Sequence, residues 1–180
     1  MKKIIYNPVF AVALTVVLMI VSVLLNTRVK LGRQCDTLCN QFYGENMIAA
    51  SLESLCSASE QLVILGDRCQ LDEADVAMSS VRSLREMLQQ RSYEASDIYD
   101  RYYELLKNTF SLEGILERTA LSEEDAGTFA NAKHSAAEAK SAIDNSSYND
   151  VVRAFLNRNH RFPTPQLASV SGVNMPELFA

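Results

Sequence analysis

The stretch VRSLREMLQQRSYEASDIYDRYYEL, Val81 to Leu105, decides the fold class. Val81, Leu84, Leu88, Arg91, Ala95, Ile98, Tyr102 and Leu105 alternate steps of three and four without a slip. That spacing puts all eight on one face of a helix, whereas a half-buried strand would alternate every second residue. Arg91 is the one charged member, and the stripe predicts that it buries its stem while the guanidinium reaches solvent or a carboxylate. Upstream, Asp72, Glu73 and Asp75 read as the start of this helix, because acidic groups are favoured at the positive end of its dipole.

The same period extends outward. Leu31, Cys35, Leu38 and Phe42, then Ile48, Leu52, Leu55, Ser59 and Leu62, predict a first helix running to Leu65 with Gly66 as its cap. Phe110 to Glu117 is a weaker piece interrupted by Gly114, and is expected to supply a short fourth helix. Ser122 and Asp125 resemble a capping box ahead of an alanine-rich helix through Phe129, Ala132, Ala136, Ala139 and Ile143. Asn145 to Ser147 loosens the pattern before Tyr148, Val152 and Phe155 resume it, and the prolines beyond Arg161 are expected to end regular helix. Only six glycines and four prolines occur in 180 residues, too few for the turns of a sheet. The expected class is all-α: an antiparallel up-and-down bundle of three long helices with a short fourth, preceded by one transmembrane helix.

Val9 to Leu25, VFAVALTVVLMIVSVLL, is 17 residues without a charge. About 20 apolar residues span the hydrocarbon core, with 17 near the lower limit. A cleaved signal peptide is the rival reading, since Lys2 and Lys3 supply a basic start. The apolar run exceeds a signal's h-region, however, and no A-x-A-like site follows. The expected organisation is a flank at 1–8, an anchor in the lipid bilayer at 9–25, a bundle at 29–162 and an irregular tail at 163–180. Lys2 and Lys3 on one side nearly balance Arg28, Lys30 and Arg33 on the other, so flanking charge does not choose the orientation.

Side-chain chemistry excludes more than it assigns. A net charge of -5 argues against a general nucleic-acid binder. Cys35 and Cys39 share a helix face, but a disulfide within one helix strains the backbone, and a zinc site lacks a second ligand pair. Cys35 and Cys56 are read as small core hydrophobes. Tyr93, Tyr99, Tyr102 and Tyr103 beside Glu94, Asp97 and Asp100 could suggest a metal or radical site. Without a Glu-x-x-His motif they read as rings at the bundle edge with wet hydroxyls. His134 and His160 are read as surface residues, and no phosphate loop, nucleophile elbow or HExxH run is present. No catalytic residue, cofactor or metal is expected.

One stretch carries more information about family. YNDVVRAFLNRNHRFP, followed by LASVSGV and PELFA, resembles the C-terminal signature of the LemA family of bacterial membrane proteins. Tyr148, Asn149, Arg153, Phe162, Pro163, Ala168, Gly172 and Phe179 stand at its positions. The family's tryptophan and its Leu-Ile-Pro-Asn-Leu-Val run on the first soluble helix are missing; the chain reads MIAASL from Met47 to Leu52. The resemblance implies a divergent member at the cell membrane, with a short exterior N-terminus and the bundle in the cytoplasm. From the residues, Tyr148 and Asn149 are expected to tie the last helix to the others, and Phe162 with Pro163 to plug one end of the bundle. Arg153, Arg158, His160 and Arg161 read as a solvated helix end; contact with anionic lipid or an acidic partner is the alternative. A non-catalytic scaffold or adaptor for a protein partner is the leading expectation, and a sensory or small-ligand-binding bundle is the rival.

Overall fold

The computed structural model describes residues 8–44, 47–91, 94–161 and 164–180. Among them every regular element is helical: α1 Pro8–Tyr43, α2 Ile48–Arg68, α3 Asp72–Gln90, α4 Ala95–Leu116, α5 Glu123–Asp144, α6 Tyr148–Asn159 and α7 Thr164–Ser171. The chain divides into two compact units. One comprises 1–39 and 153–176, the other 40–152 and 177–180. The division falls inside α1, so residues 29–39 group with the apolar segment and the last four residues group with the larger unit.

In the larger unit α2 is central, packing against α3, α4 and α5. The apolar stripes explain this: Leu52, Leu55, Leu62, Val81, Leu84, Ile98 and Leu105 are essentially inaccessible. Leu62, Leu65, Ala74, Ala77, Leu112, Leu116 and Ala132 form one core cluster. Arg85 of α3 adds a charged clamp, donating to Glu53 at 2.9 Å and Glu60 at 3.0 Å on α2. Ser122 caps α5 as its spacing suggested, accepting from the Asp125 N–H at 3.1 Å.

Four expectations are corrected. The stripe from Val81 to Leu105 is two helices, since Arg91 ends α3 in the left-handed conformation with φ 50°. Arg91 is exposed and lays its guanidinium 5.4 Å from the Tyr43 ring centroid. Gly66 lies inside α2, which ends at Arg68. Gln70, at φ 58°, takes the left-handed capping position instead. Leu71 N–H donates to Gly66 O and Gln70 N–H to Asp67 O, both at 3.0 Å, the paired closure of a Schellman end. Phe110 to Leu116 is the last part of α4, not a separate helix. The segment 163–180 is not wholly irregular, because α7 forms with Pro165 in its first turn, where a missing N–H costs no intrahelical bond. Gly172 closes α7 at φ 69°, with Val173 N–H donating to Ala168 O at 3.0 Å.

In the smaller unit, the segment Val9–Leu25 is exposed almost throughout: Val9 is 74 % and Ile20 55 % accessible. An apolar window there has mean hydropathy 2.8 and none of it is buried. By length and composition this is the one helix among the described residues able to cross a membrane. Leu31, Leu38 and Ala168 are buried.

Candidate functional site

Three of the eight signature residues meet in the larger unit. Tyr148 and Asn149 occupy the first turn of α6, and both hydrogen-bond to the tail. Tyr148 Oη donates to Glu177 O at 3.1 Å. The Asn149 side chain grips both backbone groups of Phe179: its Nδ2 donates to Phe179 O at 2.7 Å, and Phe179 N–H donates to its Oδ1 at 2.8 Å. An asparagine amide presents a donor and an acceptor side by side, so it pairs with the N–H and C=O of one residue as a neighbouring antiparallel strand would.

The Phe179 ring is buried among aromatics from α1 and α4. Its centroid lies 5.1 Å from Tyr99 at 89°, 5.6 Å from Tyr102 and 5.8 Å from Phe42. Phe42 in turn meets Tyr148 at 5.2 Å and 71°. Edge-on and tilted contacts at these separations are favoured by ring quadrupoles. Ser96 Oγ donates to the Glu177 carboxylate, which also pairs with Glu94 and holds the Glu94 carboxyl above its usual range. Tyr102 departs from the expected wet hydroxyl. Its Oη is buried without a hydrogen-bond partner among the described residues, and burial pushes its pKa up to about 12. Tyr103 is exposed, and Tyr93 lies outside the described residues.

The remaining signature residues are not part of this seat. Arg153, Ala168 and Gly172 belong to the smaller unit, and Phe162 and Pro163, with the plug assigned to them, lie outside the described residues. Sequence reasoning missed Phe42, Ser96, Tyr99 and Tyr102 as partners of the tail. The short Glu-x-Phe pattern of 177–179 was the available signal.

A second feature is a groove of about 440 Å³ between α4 and α5. Leu55, Thr109 and Ala136 line it together with Glu113, Lys133 and Lys140. Thr109 is occupied by a buried hydrogen bond to Ser59 at 3.1 Å. Burial holds the Glu113 carboxyl above its usual range, and nearby Lys133 pulls in the opposite direction. Lys133 itself pairs with Glu117, and Lys140 with Asp144.

Neither place assembles a nucleophile with a base. Among the described residues no group of three or more His, Cys, Asp or Glu side chains is arranged to hold a metal. Both histidines are exposed. His134 lies 3.3 Å from Glu138, and His160 contacts the Asn157 carbonyl. All four thiols are unpaired; Cys56 is fully buried and pushed up to about 12, whereas Cys35 is only half-buried, not a core residue. Compared with family models, curated proteins and solved structures, the chain finds no match in any of the three.

Proposed function

We propose that the chain is a non-catalytic, membrane-anchored helical protein of LemA type, whose bundle presents a helical face to a protein partner. In this reading α2 to α5 run up and down antiparallel, joined by short connections, and the bundle stands on the cytoplasmic side. The observation that carries the proposal is the contrast between Val9–Leu25, apolar and exposed, and the well-buried core of the larger unit. Water gives an exposed apolar helix no stabilisation; a bilayer does. The tail seat adds support, because its side chains act on the chain's own backbone and not on a reacting group. The test is in-cell cross-linking of the full chain followed by purification. A reproducible second protein is expected, and recovery of the chain with nothing but itself would sink the scaffold role.

The groove between α4 and α5 favours a second reading as a small-ligand-binding bundle, since it combines apolar walls with convergent polar groups. A thermal-shift screen checks it. Some amphipathic small molecule should raise the melting temperature of the native chain but not of a variant with Ala136→Trp in the groove. A flat response to the whole set excludes this reading.

A further inference from the structure

Charge is unevenly divided between the two units. Of the 17 Lys and Arg residues, eight lie in the smaller unit, where Asp36 is the single acid. The larger unit therefore holds nine basic residues against 21 acidic ones. Ion pairing differs in degree: the larger unit pairs five of its nine basic residues, while Arg82, Arg91, Lys107 and Arg118 there have no ion-pair partner among the described residues. Each of Arg68, Arg85, Arg101, Lys133 and Lys140 in the larger unit has a carboxylate partner. In the smaller unit Arg28, Lys30, Arg33, Arg158 and Arg161 are exposed and have no ion-pair partner among the described residues; Arg153 is also exposed. Three of these six follow the apolar segment within eight residues of Leu25, at the depth where a membrane helix leaves the hydrocarbon for the headgroups.

We propose that these six residues form a basic collar that docks the anchor-bearing unit on the headgroups of anionic phospholipids. The inference rests on the anchor reading of Val9–Leu25. Basic residues close to an anionic leaflet each strengthen binding about fivefold, and the effect vanishes beyond a Debye length. The same field repels the acidic unit. An anionic surface thus attracts the smaller unit and not the larger. A solvated helix end accounts for Arg158 and Arg161 alone, but not for the near absence of acids from the whole unit. An acidic protein partner could satisfy the charges too; the position of Arg28, Lys30 and Arg33 directly after the apolar segment favours lipid.

The experiment uses the full chain in vesicles of phosphatidylcholine alone, or with about a third phosphatidylserine. Amide hydrogen exchange is read over residues 153–161. Exchange should be several-fold slower with phosphatidylserine, and the difference should disappear in about 1 M salt, where the Debye length falls to roughly 3 Å. Arg28→Gln/Arg158→Gln/Arg161→Gln should abolish the lipid dependence, and the Lys versions of the same three should retain it. Equal exchange in the two vesicles, or protection surviving in the Gln variant, overturns the collar. So does equal protection by inorganic phosphate added to phosphatidylcholine vesicles, which would mark a phosphate site and not a surface. Alkaline carbonate treatment tests the anchor separately. Should it release the chain, flotation with the two vesicle types reads the same contrast, and equal flotation rejects the collar.

Discussion

Asn149 is half-buried on α6, and both its polar atoms engage one residue, accepting from the Phe179 N–H and donating to the Phe179 carbonyl. Replacing it with alanine should cost about 1–2 kcal/mol, the net value of two hydrogen bonds. Phe179→Ala empties the aromatic seat and should cost about 3 kcal/mol. The two act on one event, docking of the tail, so the double variant should lose clearly less than their sum. Chemical denaturation of the four proteins checks this, and strict additivity would show that the tail is not held as a unit. Glu113 carries a second prediction. Its folded pKa lies above the ordinary 4.5, so the native state binds this proton more tightly than the unfolded chain does. The resulting stability is complete below about pH 4.5 and is lost as pH rises through the folded value. Glu113→Gln should therefore raise the melting temperature at pH 7 and leave it nearly unchanged at pH 4; a larger gain in acid would contradict the assignment.

Among the elements, the end of α2 shows how packing chooses between two places for a glycine. A Cβ on Gly66 would come within 3.0 Å of Ala74 Cβ and of Leu112 Cδ1, both in the core. Gly66 is thus the residue that lets α3 and α4 close on α2. Gln70, by contrast, bears a side chain at φ 58°, where L-residues are strained by about 1 kcal/mol. Gly66→Ala should destabilise by about 1 kcal/mol, since overpacking outweighs the helix-propensity gain of alanine. Gln70→Gly should stabilise by about 0.5–1 kcal/mol. Thermal unfolding of the two variants decides the matter, and opposite signs from those stated would overturn this account of the α2 terminus.

For the whole molecule, the exposed apolar helix makes membrane retention the property to test. Replacing Val17 and Leu18 with lysines costs about 2.5–3.5 kcal/mol each at the centre of a spanning helix and should leave the chain in the soluble fraction. Wild-type chain extracted by alkaline carbonate would remove the anchor. The fold also selects the probe for orientation, because Cys39 is exposed while Cys56 is fully buried. With the bundle in the cytoplasm, Cys39 should react with a membrane-impermeant thiol reagent only after permeabilisation, and Cys56 should resist until denaturation. Labelling of Cys39 in intact cells would put the bundle outside.

Helical class, the buried stripe from Ile48 to Leu62, the start at Asp72, the Ser122 cap and the apolar segment Val9–Leu25 were all legible in the sequence, because each depends on residues within a turn or two of one another. Helical periodicity is blind to a break that preserves its phase. Val81 to Leu88 and Ile98 to Leu105 keep their three-four spacing across Arg91, although the chain leaves α3 there and re-enters helix as α4. Both internal left-handed caps fell on residues other than glycine, so no local preference marked them. The tail seat was hidden for a different reason. It joins Asn149 to Phe179, 30 residues apart, and brings in Phe42 and Tyr99 from helices still more distant in the chain. Side-chain recognition of a remote backbone has no period and no fixed spacing, and only the packed tertiary structure decides which segment an asparagine will hold.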